Sequence, residues 1–213
     1  MPRDASTTKR QIIDAAYELF YKEGFAHVGV DAIAKAAGIT KRTLYYHFDS
    51  KDTLIGKVLQ VQHELMLERI GRWAKRSSWD PVAMIEAIFT DFAAWSRQPG
   101  WRGSGLTRAA IEFARSPGHP ARIAARRHKA AVERMLVDQF AACDIEAPTQ
   151  LVRQLMLLIE GCNSLILIHG DPSYADAALQ AARLLVGQHG SNRARPIKRR
   201  LPIGPAVTST RRR

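Results

Sequence analysis

Two cysteines, Cys143 and Cys162, are too few for a disulfide framework in a chain of 213 residues. They read as buried thiols of a reducing compartment. Residues 1–10 are polar and charged and lack the apolar core of a secretory signal. The most apolar stretch, residues 154–170, is interrupted by Glu160 and Asn163. It falls short of the ~20 residues that a span requires, so a buried helix, no membrane and a cytoplasmic location are expected. There is no glycine-rich phosphate loop, no G-x-S-x-G and no His/Cys cluster at metal-ligand spacing. His119 and His128 lie nine apart, as do Glu160 and His169, which is not the spacing of two groups sharing one helical turn. No enzyme activity, cofactor or metal is therefore expected. A lone Glu160 in an apolar helix reads as a hydrogen-bonding group at a dimer interface. Alternating strand patterns are missing as well.

The net charge of +12 is not a property of the whole chain. Residues 1–50 carry seven Lys/Arg against six Asp/Glu, and residues 51–187 carry seventeen against fourteen. Residues 188–213 carry eight against none. With its Gly, Pro and clustered cations and no sustained apolar face, this tail is expected to be disordered. It reads as a solvated extension rather than a nucleic-acid-grasping arm.

Helical periodicity covers the rest. Ile12, Ala16, Leu19 and Phe20 share one face before Gly24, with Ser6, Thr7 and Thr8 as candidate N-caps. Val30, Ile33, Ala34 and Ala37 form a second helix ending at Gly38. Thr40 can cap a third, very short one, and Ser50 a fourth reaching about Ala74. Further helices are expected near 82–96, 106–114, 121–142, 151–169 and 173–186. The last two should dimerise through Leu155, Leu158, Ile159, Cys162, Leu165 and Ile166, with Gly161 and Ser164 permitting close approach. The fold class is thus all-α. Residues 1–50 are a helix-turn-helix domain, 51–187 a helical ligand-binding and dimerisation domain, and 188–213 the basic tail.

The third helix carries "ITKRTLYYHF", Ile39 to Phe48. Leu44 and Phe48 sit four apart and should face inward. Lys41, Arg42, Thr43, Tyr45, Tyr46 and His47 then face outward, a set of cations, hydroxyls and rings suited to a duplex groove lined by phosphates. Spacing alone is equally compatible with Tyr45 and Tyr46 packing the domain and Lys41 and Arg42 being merely solvated.

The stretch "VDAIAKAAGITKRTLYYHFDSKDTLI", Val30 to Ile55, resembles the signature of the TetR family of transcriptional regulators, and "IIDAAYELFYKEGF", Ile12 to Phe25, is similar to that family's first helix. The resemblance implies an all-α homodimer that binds a palindromic operator in double-stranded DNA, most often as a repressor released by a small molecule. It implies a DNA-facing set of Thr40, Lys41, Arg42, Thr43, Tyr45, Tyr46, His47 and Lys51. Tyr45, His47 and Lys51 are then the phosphate contacts, and Arg42 and Tyr46 the base-edge candidates. Two departures stand out. Arg42 replaces a common glycine and can reach guanine O6 and N7. Val28 and Gly29 replace the usual hydroxyl residues at the start of the second helix; glycine can take the N-cap but offers no hydroxyl to a phosphate, which puts one expected backbone contact in doubt.

Met66, Ile70, Met84, Ile88, Phe92, Trp95, Trp101 and Phe113 form the candidate ligand-binding set. Such residues are core by default, but as a set they favour an apolar or aromatic ligand of unknown identity. His63, His128 and Arg108 could orient a polar end. A helical enzyme or small-molecule carrier that uses the same cavity is the alternative.

Overall fold

The computed structural model describes residues 5–75 and 80–190. Among these residues the chain is helical, without strands: α1 (Ala5–Glu23), α2 (Val30–Ala36), α3 (Lys41–His47), α4 (Lys51–Lys75), α5 (Pro81–Ser96), α6 (Gly105–Glu112), α7 (Pro120–Ala141), α8 (Pro148–His169) and α9 (Ser173–Gly190). The expected tail lies outside the described residues beyond Gly190. Its first three positions are not tail at all, because α9 continues three residues past 187.

Local chemistry sets the boundaries. Thr40 Oγ1 accepts from Thr43 N at 3.1 Å, and Ser50 Oγ accepts from Thr53 N at 3.1 Å, each satisfying an N-terminal amide that has no intrahelical partner. Asp80 does the same for α5, whose first residue is Pro81. Ser6, Thr7 and Thr8 are not caps. The helix already includes Ala5, and Thr8 is buried inside it.

Two apolar clusters result. In the first, Ile12, Ala16 and Phe20 of α1 pack with Ile33, Leu44 and Phe48, so α3 buries Leu44 and Phe48 as its spacing predicts. The first turns of α4 belong here too. Leu54, Ile55, Val58 and Leu59 are fully buried against this cluster, which also takes in Leu106, Ala109 and Ala121 from α6 and α7. The second cluster joins α5, α7, α8 and α9 around Phe89, Phe92, Leu136, Phe140, Leu151 and Leu155. Cys143 and Cys162 are buried in it and form no disulfide. Burial pushes the Cys162 thiol up to about 11, so it is an inert core group.

α4 bridges the two clusters. Its Gly56 lies at a close approach, since a Cβ there would stand 3.0 Å from Cβ of Pro120 at the start of α7 and would press on it.

α8 departs from expectation in two ways. At 22 residues it is long and apolar enough to cross a membrane by composition. Here, however, it packs against α7 and α9 and buries Asn163. Moreover, the face expected to dimerise is largely internal. Leu155, Cys162 and Ile166 are core, and Leu158 and Ile159 pack partly against it, leaving only Leu165 of that set exposed. The large apolar residues of α8 left exposed are Leu157, Leu165, Leu167 and Ile168, and on α9 Leu184 is exposed as well. The helix is apolar nearly all round, so its two faces compete for the core, and the set nearest α9 and α7 takes it.

Candidate nucleic-acid interface and cavity

The turn between α2 and α3 is built from backbone bonds. Ile39 N donates to Ala34 O at 3.0 Å and Gly38 N to Lys35 O at 3.1 Å, with Gly38 at φ +64°. This is a Schellman ending, and the left-handed position favours glycine. Gly29, at the N-cap of α2, makes no side-chain cap, in keeping with its missing hydroxyl. Lys41 Nζ meets Asp31 Oδ2 at 3.0 Å and ties α3 to α2 across an exposed surface. That carboxylate raises the Lys41 pKa, first through the hydrogen bond and then through charge.

The outer face of α3 is the one predicted. Thr40, Arg42, Tyr45 and Tyr46 are exposed, Tyr46 at 82%, while Thr43 and His47 are half-buried. Thr40 and Thr43 share a hydroxyl–hydroxyl bond of 2.8 Å. The Tyr46 ring stands edge-on to His47 with centroids 5.2 Å apart. Arg42 has no ion-pair partner among the described residues. A planar guanidinium and a phenol thus project from the first two turns of a helix on a short rigid turn.

Lys51 is tied into the fold. Its ammonium donates to Ala26 O at 2.8 Å, while Glu112 Oε2 of α6 accepts from Ala26 N at 2.8 Å. The α1–α2 loop is therefore gripped at a single residue by α4 on one side and α6 on the other. Burial lowers the Lys51 pKa, with Asp52 and Glu112 opposing that shift. Tyr21 of α1 makes a parallel link. Its hydroxyl accepts from Arg102 N at 2.9 Å and donates to Gly103 O at 3.2 Å, and Arg108 donates to Tyr21 O at 2.8 Å.

Two adjoining cavities lie behind these links. The outer one, of about 460 Å³, is lined by Tyr17 and Tyr21 of α1, by Leu65, Met66, Glu68, Arg69 and Arg72 of α4, and by Trp95, Trp101 and the segment to Leu106. The inner one, of about 50 Å³, shares Met66, Trp95 and Ser104 with it and continues past Ile70, Ile88, Phe92 and Met156 to His128, Glu160 and Asn163. Of the predicted ligand set, Met66, Ile70, Ile88, Phe92, Trp95 and Trp101 line one or both cavities. Met84 and Phe113 line neither. Met84 is buried in the second cluster, and Phe113 stacks on His119 with centroids 3.7 Å apart. Arg108 is spent on Tyr21. Glu160 corrects its expectation. It points inward, accepting from Thr107 Oγ1 at 3.0 Å and forming an ion pair with Lys129 at the cavity wall. Tyr17, Tyr21 and Arg69 were missed. Tyr17 and Tyr21 sit on the reading head's own first helix, and only the fold brings that helix to the cavity.

Residues 12–58 match the model for bacterial regulatory proteins of the tetR family. The chain belongs to the TetR family. It is 36% identical over 88 residues to the HTH-type transcriptional regulator SrpR of Pseudomonas putida, a match covering 40% of this chain and 41% of SrpR. It is 41% identical over 61 residues to the HTH-type transcriptional regulator TtgR, also of Pseudomonas putida, covering 29% of each chain. These matches thus span less than half the length of either relative. A TetR-family transcriptional regulator from Streptomyces coelicolor superposes with a TM-score of 0.77 at 25% identity, covering 86% of this chain and 96% of that one. These relatives are transcriptional regulators, not enzymes.

One buried polar pair in this TetR-family chain is titratable. His63 of α4 and His128 of α7 approach Nδ1 to Nδ1 at 3.1 Å with perpendicular rings, so one nitrogen donates and the other accepts. Burial lowers both pKa values, that of His128 to about 4, with Lys129 and Arg127 adding repulsion at His128 and His63 respectively. The folded state therefore holds His128 neutral, while the unfolded chain takes up a proton near pH 6.5. Stability should fall as pH drops from about 6.5 towards 4, by about 2 kcal/mol for this group. For a chain of this size that lowers the melting temperature by about 5 °C. His128→Gln cannot titrate, so thermal melts at pH 7 and pH 4.5 should show a smaller fall for the variant. An equal fall in both proteins would refute this assignment.

Proposed function

We propose that the protein is a cytoplasmic, homodimeric transcriptional regulator that reads a palindromic operator through α3 and is released from it by a small apolar or aromatic ligand, acting as a repressor. Residues 1–50 form the reading head, and residues 51–187 the ligand-binding and dimerisation domain. The observation that carries this reading is the outer face of α3, where Arg42, Tyr45 and Tyr46 stand exposed on a helix fixed by a Schellman turn and a threonine cap. Thr40, Lys41, Thr43, His47 and Lys51 flank them as phosphate donors, with Lys41 and Lys51 exchanging Asp31 and Ala26 O for phosphate or serving both. Two copies joined through Leu157, Leu165, Ile168 and Leu184 would present two such helices to successive major grooves. The cavity touches α1 and α4 together. An occupant would bind one arrangement of head and body better than the other and so shift their population.

The test is a titration of the protein on DNA from upstream of its own gene and on a scrambled duplex, across a salt series. Specific binding should exceed scrambled binding at every salt concentration. Equal affinities throughout would reject the regulator.

A further inference from the structure

The outer cavity has an electrostatic and geometric signature beyond being apolar. Its volume of about 460 Å³ suits a ligand of one or two rings. Two aromatic pairs wall it. Tyr17 and Tyr21 stack with centroids 5.7 Å apart, and Trp95 and Trp101 meet edge to face, also at 5.7 Å. Such walls favour a flat guest.

The charged residues of the lining are Glu68, Arg69 and Arg72. Arg72 and Glu68 are one helical turn apart and 4.0 Å from each other, so they offset one another. Arg69 is different. Its guanidinium lies over the Trp95 ring at 5.5 Å, and its polar contact is the Met66 sulfur at 4.0 Å. Among the described residues no carboxylate pairs with it. Held over the indole and paired with no carboxylate among the described residues, the guanidinium fork can take a carboxylate through two parallel bonds. Nearby, Trp101 Nε1 is a buried donor with no acceptor among the described residues. A cationic guest is disfavoured, because Arg69 already occupies the Trp95 face and the lining carries one more cation than anion.

We propose, building on the reading of this cavity as the regulator's ligand site, that the ligand is a planar aromatic acid whose carboxylate is held by Arg69 and whose rings lie between the tyrosine and tryptophan pairs. The Arg69 contact is made through charge-assisted bonds inside a partly desolvated site, so it separates an acid from its neutral isostere.

Calorimetric titration of the full chain with 2-naphthoate, 2-naphthamide and 2-naphthylmethylammonium tests this. Naphthoate should bind about 10- to 100-fold tighter than the amide, and the ammonium should bind weakest. Arg69→Gln should erase the acid's advantage while leaving amide affinity within about 2-fold, and Arg69→Lys should restore part of it. Arg72→Gln should preserve the preference. Arg69 is half-buried and lies on Trp95, which packs against the core, so melting curves for each variant verify folding. The proposal is overturned if the amide or the ammonium binds as tightly as the acid, if Arg69→Gln keeps the preference, or if none of the three binds. DNA titration without any probe separates the two levels. Specific DNA binding without acid preference removes only the ligand class. Acid preference without DNA binding removes the regulator and leaves the chemistry of the cavity standing.

Discussion

Leu157→Glu should convert the protein to a monomer and weaken operator binding by at least about 100-fold. In the isolated protomer Leu157 is 73% exposed, and Ile168 and Leu184 are each 71% exposed. On α8 these positions continue through Gly161, Ser164 and Leu165, a spacing of four, three, one and three residues that keeps them on one face. A Cβ added at Gly161 would meet nothing within 4 Å, so the backbone there is open to a close neighbour. Burying one such leucine stabilises by about 1.5–3 kcal/mol, and a two-fold interface counts each residue twice. A glutamate at 157 forfeits that burial and brings a carboxylate from each copy into the interface. Because Leu157 does not fill the protomer core, the variant should remain folded. A monomer engages one half-site at a time and loses the effective concentration that tethers the second head. Sedimentation and a DNA titration check both halves. A variant that still sediments as a dimer would place the interface elsewhere.

Arg42→Ala should weaken the operator about 5- to 150-fold for each head while barely changing affinity for scrambled DNA. Arg42 sits in the first turn of α3, exposed and without an ion-pair partner among the described residues, so no internal contact is lost on truncation. A bidentate Arg–guanine pair discriminates against the wrong base by roughly 1–3 kcal/mol. Tyr45→Phe, which removes one phosphate donor, should weaken both duplexes alike. Lys51→Ala should also act on both and lower the salt slope by about one. Lys51 also holds Ala26 O, however, so this variant should additionally loosen the reading head. Titrations on both duplexes at several salt concentrations distinguish these roles. If Arg42→Ala weakens both duplexes equally, Arg42 is a phosphate clamp and Tyr46 becomes the base reader.

The reading head was legible because its determinants are local. Gly38, the Thr40 cap and the four-residue spacing of Leu44 and Phe48 each act within a few residues, and together they leave only one face of α3 for solvent. The rest depended on partners far along the chain. Glu160 turns inward because Lys129 and Thr107, 31 and 53 residues away, meet it there. Nothing in the neighbourhood of Glu160 announces either. The same holds for Tyr17 and Tyr21, which in sequence are polar-tipped residues flanking an apolar stripe and in the fold become a cavity wall. In α8 the periodicity itself was ambiguous, since residues on opposite faces are equally apolar and only packing against α7 and α9 decides between them.

The double grip on Ala26 has a consequence for building hybrids. Its amide is held from α6 and its carbonyl from α4, so the head is not a detachable module whose interface ends at the last residue of α3. A chimera that grafts this head onto another regulator's body would lose the Glu112 acceptor unless the recipient supplies a carboxylate at the equivalent end of its sixth helix. The graft would then carry α3 on a head held less firmly to its body.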